Sequence, residues 1–418
     1  MFRFIETITQ RLETLFQLDI RYILRGNFWL LLARVVAIGS GILLSIAFAN
    51  LLTPESFGFY KYILSLAGIV TAFSLTGIGT ALVNSIARGD EGTLRTTLFP
   101  TFRWGLLAGA LSLGISAYYF FQHNTDLGIA LLTVAISMPL TCFGNYRHLY
   151  VGRQDFKEST LVGMVRSLVP IALMIGTILI TKNILLILAS YFISNTLTIT
   201  GIYFYTIIRY RVPRTATSTE STLRFARFTS ILGAFNQISS QIDQFLVWHF
   251  VGVAGVAFYS FATSPVEQLQ SISGNIFSLT APRFVAKSEN ELRRIIPKRM
   301  LQMLFVVVPI ALVYIIGAPL LFHIVFPKYQ SVVWLSQLYA LILLLQPAGF
   351  VDAALIARED TQGRNFLVAS GQVLKLIYLI VGIYTYGVAG GVAALILSEI
   401  TNLLISLYIL KFRMKPAQ

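Results

Sequence analysis

Residues 299–323 read RMLQMLFVVVPIALVYIIGAPLLFH. Between the arginine that opens this stretch and the histidine that closes it there is no Asp, Glu, Lys or Arg. A helix needs about 20 consecutive apolar residues to cross the hydrocarbon core of a bilayer, and this segment supplies them. Eleven further segments of similar character predict spans at 28–50, 59–84, 99–121, 127–149, 159–181, 184–208, 227–251, 258–281, 333–355, 366–386 and 388–410. The whole chain follows suit, with 56% hydrophobic and 12% charged residues in 418. Soluble domains carry roughly 25% charged residues. A mean hydropathy of +0.73 suits side chains that face lipid as well as each other. The expected fold class is therefore all-α: a polytopic membrane protein of about twelve helices.

The net charge of +14 does not point to nucleic acid, because the basic residues sit in short loops between apolar runs. Arg3 to Arg25, Arg88 to Arg103, Arg147 to Lys157, Arg209 to Arg227, Arg283 to Arg299 and the charges from Arg358 to Lys415 all fall on one side of the twelve spans. Together they number 26, against only Lys61, Lys182 and Lys328 on the other side. Such a bias places both termini in the cytoplasm and the chain in the cytoplasmic (inner) membrane. Aromatic residues on the far side, Tyr118 to Phe121, Tyr329, Trp334, Tyr384 and Tyr386, form an interfacial belt.

Ile5, Ile8, Leu12 and Leu15 recur at helical spacing among charges, so residues 1–26 are expected to lie on the membrane as a cytoplasmic amphipathic segment rather than act as a cleaved signal. An N-lobe follows at 27–208, a basic linker rich in Thr and Ser at 209–226, a C-lobe at 227–411 and a cytoplasmic tail at 412–418. Cys142 is the sole cysteine, and His123, His148, His249 and His323 form no pair at ligand spacing, so neither a disulfide framework nor a metal or other cofactor is expected. No extracytoplasmic loop between these spans is long enough for a soluble catalytic module, which argues against a membrane glycosyltransferase or polymerase; translocation without breaking a glycan–phosphate bond would make the protein no enzyme.

The two lobes carry matching turns. Leu52-Thr53-Pro54-Glu55-Ser56-Phe57-Gly58-Phe59-Tyr60 follows the first span, and Val251-Gly252-Val253-Ala254-Gly255-Val256-Ala257-Phe258-Tyr259 follows the seventh. Either these mark a parallel six-helix repeat, a known transporter plan, or they are ordinary aromatic-ended turns. At these residues the chain resembles the polysaccharide exporters of the multidrug/oligosaccharidyl-lipid/polysaccharide superfamily. The likeness runs through Gly26-Asn27-Phe28-Trp29-Leu30, the Leu52 to Gly58 turn, Asp243, Pro282-Arg283-Phe284 with Glu291-Leu292-Arg293-Arg294, and Tyr386-Gly387-Val388-Ala389-Gly390-Gly391. That resemblance implies twelve helices in two six-helix lobes around a central cavity. The superfamily also includes drug/cation antiporters and the peptidoglycan-precursor flippase.

A charge at mid-bilayer costs at least ~2.5–3.5 kcal/mol on insertion scales, so seven charges inside the spans need reasons. Lys375 and Glu399 flank the short turn between the last two spans at equal depth, placing them within reach of an ion pair. Asp243 and Glu267 lie at similar depth on neighbouring spans, as an ion-coupling site would need. Asn236, Ser240 and Asp243 form a polar stripe at i, i+4, i+7 beside Gln237 and Gln244, and Ser264, Gln268, Ser271 and Asn275 form a second. Both stripes suit either a wet cavity wall or interhelical hydrogen bonds. Arg34 and Arg166 lie six or seven residues inside the basic side; they either grip a phosphate head group or snorkel. Asp352 is expected to snorkel.

These features predict translocation of a lipid-linked (polyprenyl phosphate or pyrophosphate) oligosaccharide by alternating access. Arg34, Arg166, Asn236, Ser240, Gln268 and Lys375 would line the cavity, and Asp243, Glu267 and Glu399 would couple to an ion. Membrane lipids, a glycan polymerase and glycosyltransferases are the expected partners. No G-x-x-x-x-G-K-S/T motif occurs, so nucleotide hydrolysis is not the expected energy source. An ion-coupled drug/cation antiporter is the alternative.

Overall fold

A computed structural model describes residues 20–285, 287–358 and 360–412. Every described element is helical. Residues 1–19, which hold most of the expected amphipathic segment, and the tail beyond 412 lie outside the described residues. The segments Thr93–Phe121, Phe156–Ile180, Ile184–Arg209, Asn290–Val325, Pro327–Ala357 and Gln362–Lys411 are each long and apolar enough to cross a membrane. The Asn290–Val325 segment contains the opening stretch; Val307, Ala311, Ala318 and Phe322 pack into the core, while another face stays outside it, with Ile316 77% exposed and Val313 73% exposed. Lipid is the solvent that such a face requires.

The other expected spans also coincide with helix, but several are broken. Expected span 366–386 and its successor lie in Thr361–Phe412, which turns back at Gly387 (φ 58, ψ −132). This backbone falls in the left-handed region, where glycine pays no Cβ penalty. A Cβ on Gly382 would lie 2.5 Å from the Gly390 carbonyl oxygen, and the Tyr378 hydroxyl is 3.3 Å from Thr401 Oγ1, so the two arms run antiparallel. Expected span 59–84 is divided into Pro54–Thr71 and Ile78–Ala87, and 227–251 into Thr219–Ser239 and Ile242–Phe250. Expected span 127–149 bends by 46° between Thr125–Ser137 and Pro139–Gly152, where residues Pro139–Asn145 tighten to 3-10 helix. Ala340–Ala348, around Pro347, does the same in the tenth span. Short 3-10 stretches inside longer helices commonly mark hinges, and here they occupy corresponding places in the two halves.

The chain forms two compact units, one of residues up to Leu51 with Ile63–Gln241, the other of Leu52–Tyr62 with the residues from Ile242 onward. The division thus differs from one at the 209–226 linker. That stretch is folded into the first unit. Asp90 Oδ2 accepts hydrogen bonds from the backbone N–H and hydroxyl of both Thr217 (3.0 and 3.0 Å) and Ser218 (2.8 and 2.7 Å). Thr219–Ser239 then packs on Ile78–Ala87. The approach is close enough that a Cβ on Gly77 would fall 2.1 Å from Thr229 Oγ1. Leu75, Ile78, Leu82, Tyr150, Tyr203 and Ala226 form the adjoining core.

Candidate functional site

The second unit gathers most of the charged groups that the spans contain. Ile242–Phe250 begins just beyond a break at Ser240 and Gln241. Within the first unit, the freed Gln241 carbonyl accepts a bond from Ser65 Oγ at 2.6 Å, and Gln237 Nε2 donates to the Gly68 carbonyl at 3.3 Å. These bonds satisfy backbone groups that hydrocarbon would leave unpaired. The break also corrects the expected stripe. Asn236 and Ser240 are exposed and end one helix, and Ser240 Oγ turns back on the Gln237 carbonyl at 2.8 Å. Asp243 starts the next helix, so the three residues do not share one continuous face.

Asp243 is 7% exposed. Its Oδ2 accepts from the buried Tyr259 hydroxyl at 2.9 Å, and its Oδ1 accepts from the Gln244 N–H at 2.9 Å. Glu267 lies on Val253–Phe284 two helical turns beyond Tyr259, is exposed, and hydrogen-bonds Thr263. The ammonium of Lys61 interacts electrostatically with both Glu267 and Asp243, and also lies 5.6 Å from the Phe57 ring centroid. The structure therefore brings Asp243 and Glu267 together, and adds a cation that sequence reasoning had assigned to a loop. Gln268 is exposed beside Glu267 on the same helix.

Lys61 is held in place by the turn at Gly58, whose Cβ would sit 1.8 Å from the Val253 carbonyl oxygen. The two matching turns therefore touch, backbone to backbone. Phe57 packs on Phe261 (ring centroids 4.7 Å) and Tyr62 stacks on Trp248 (4.0 Å, 9° between planes).

A cavity of about 280 Å³ in the same unit is lined by Asp352, Gln372, Lys375, Glu399 and Asn402 among others. Lys375 and Glu399 attract one another across the hairpin, and Glu399 also accepts from Asn402. Asp352 pairs with Arg364 Nε at 3.2 Å; this replaces the expected snorkelling with an ion pair at the cavity edge.

The first unit presents a different chemistry. Arg166 is half-buried on Phe156–Ile180 and hydrogen-bonds Tyr146. Arg147 interacts with Arg166 and donates from Nε to His148 Nε2 at 3.4 Å. Tyr191 lies within electrostatic reach of Arg166, and the buried Asn145 Nδ2 has no hydrogen-bond partner. His148 packs so closely on Gly79 that a Cβ there would meet the ring at 2.6 Å. Arg147 was absent from the expected site. Arg34 is on Ile20–Leu51, but its side chain lies outside the described residues. Among the described residues no cluster of His, Cys, Asp and Glu is arranged to hold a metal.

The family model for polysaccharide biosynthesis protein matches residues 23–285, more than half of the chain. The chain belongs to that family. It is 24% identical over 268 residues to the succinoglycan biosynthesis transport protein ExoT of Rhizobium meliloti (strain 1021), a match covering 60% of this chain and 52% of the relative. The match thus spans about half the length of that relative. Among solved structures, the lipid II flippase MurJ in an inward closed conformation superposes with a TM-score of 0.69 at 14% identity, covering 92% of this chain and 87% of that one. An outward-facing multidrug resistance MATE family transporter of the MOP superfamily gives 0.65 at 14% identity, covering 93% and 95%. At such identities the likeness establishes the fold: an all-α, multi-pass membrane protein with the architecture of MOP superfamily transporters.

Proposed function

We propose that this protein translocates a lipid-linked oligosaccharide across the cytoplasmic membrane, with both termini cytoplasmic, by alternating access. The observation that carries the reading is the pair of like-charged guanidinium groups, Arg147 and Arg166, beside Tyr146, Tyr191 and the His148 ring. Guanidinium forks match phosphate oxygens, and tyrosine faces and hydroxyls suit sugars. Membership of the polysaccharide biosynthesis family and the MurJ-like fold support the same cargo class. The group of Asp243, Glu267 and Lys61, and that of Lys375 and Glu399, then serve ion coupling. Lys61 acts as an internal counter-ion to two carboxylates, which disfavours a cationic drug as cargo there. A glycan polymerase and glycosyltransferases would supply and consume the substrate.

The test uses a strain deleted for the native gene and complemented with variants. Arg166→Gln and Arg147→Gln should each reduce surface glycan at least tenfold, with normal membrane abundance, and Arg166→Lys should retain part of it. Full export by the double glutamine variant would overturn the reading. Efflux of a cationic dye by the wild type in the same cells would favour the antiporter.

A further inference from the structure

Helix Leu98–Phe121 carries Phe99, Pro100, Arg103, Trp104 and Leu107 on one face, at i, i+1, i+4, i+5 and i+8. This face and Arg227, from Thr219–Ser239, enclose an open groove of about 450 Å³ in the first unit. Phe99 is 67% exposed, and Trp104 and Leu107 are exposed beside it. Arg103 and Arg227 make no hydrogen bond or ion pair with any described residue, so the groove holds two like charges without an acid to offset them.

We propose that this groove binds the anionic phosphate head group of a membrane lipid, distinct from the transported cargo. The two guanidinium groups supply the charge complement, in the bidentate geometry that phosphate favours. Phe99, Trp104 and Leu107 supply the wall for the first methylenes of the chains. Arg103 is the sixth residue of its helix, about 8 Å along the axis, which puts it at head-group depth on the basic side of the bilayer. Trp104 adjoins it, as interfacial tryptophans do. A soluble anion would gain the charge contact but leave the apolar wall exposed, so the occupant is a lipid rather than free phosphate.

Native mass spectrometry and nanodisc binding test this without reference to transport. Purified protein is titrated with phosphatidylglycerol and, separately, phosphatidylcholine. Wild type should prefer the anionic lipid, and Arg103→Gln with Arg227→Gln should weaken that preference about thirtyfold, at about fivefold per arginine. Each single variant should fall between. Inorganic phosphate at millimolar concentration should compete weakly. An unchanged preference in the double variant, with normal thermal stability, overturns the proposal; so does competition by inorganic phosphate as effective as that by the lipid.

Discussion

Gly58→Ala tests the contact on which the Lys61 site depends. A Cβ at this position would lie 1.8 Å from the Val253 carbonyl oxygen and 2.8 Å from its carbonyl carbon. Ordinary contact begins near 3.4 Å, so the turn must retreat by about 1.5 Å. The obstacle is backbone, not a flexible side chain, and both partners sit at helix starts. Overpacking of this kind costs about 1–3 kcal/mol. The retreat also loosens the Phe57–Phe261 and Tyr62–Trp248 ring pairs, each worth about 0.5–1.5 kcal/mol. The expected destabilisation is therefore about 2–6 kcal/mol. It should appear as a lower apparent Tm and a shorter heat-inactivation half-life in detergent, read at one scan rate because membrane proteins seldom unfold reversibly. Gly114→Ala is the control: Gly114 is helical like Gly58 but exposed, with nothing within 4 Å of the new Cβ, and the change should be neutral or slightly stabilising. A Gly58→Ala protein as stable as the Gly114→Ala control would mean that the two turns do not meet, and the placement of Lys61 beside Glu267 would fall with them.

Three further outcomes are expected. Lys61→Gln should lower the apparent Tm, and adding Glu267→Gln should recover part of that loss, because the uncompensated carboxylate is then also removed; additive losses would disprove the pairing. Tyr259→Phe should destabilise by about 1–3 kcal/mol, since the buried Asp243 Oδ2 loses its donor, and a cycle with Asp243→Asn should show coupling of at least about 0.5 kcal/mol in Tm-derived stability. Burial opposes ionisation of Asp90, but the hydrogen bonds from Ser218 and Thr217 outweigh it and hold its carboxyl below the ordinary 3.8. A depressed carboxyl contributes stability that is complete above its unfolded value and is lost as pH falls through the folded one. Wild-type Tm should therefore drop more steeply below pH 4 than that of Asp90→Asn, whose Tm at pH 7 should already be lower; parallel profiles would remove Asp90 from the account.

Hydropathy made the spans legible because crossing a bilayer is a bulk property of about 20 residues, insensitive to which partner each side chain meets. Interruptions of those spans are long-range facts. No proline or glycine marks Ser240 and Gln241; the helix stops there because Ser65, far away in sequence, satisfies the freed carbonyl. Pro139 and Pro347 did offer a local signal for the 3-10 stretches around them. Lys61 and Arg147 were missed for one shared reason. Both were tallied as loop charges setting topology, although each lies inside its own expected span. The helix bearing Lys61 in fact begins at Pro54, five residues before the apolar run suggested. The depth match of Lys375 and Glu399 was legible because a hairpin with a short turn leaves little freedom in register.

Sequence inspection treats every ionised residue in a span as one kind of event, a cost that demands a reason. The fold treats these residues differently in its two units. Near the bend of the fourth span, the first unit holds Arg147 and Arg166 with tyrosines around them. The second unit holds Asp243, Glu267 and Glu399, each in company with a lysine. An opposite neighbour is the simplest way to lower the cost of burial, and the second unit uses it. The first unit forgoes that remedy, and like charges are kept together at a standing energetic penalty. An anion arriving during the working cycle would lower that penalty, as the phosphate of the proposed cargo would. The carboxylates of the second unit are already offset by lysines, so they are suited to exchanging a small cation or proton rather than to holding a large ligand.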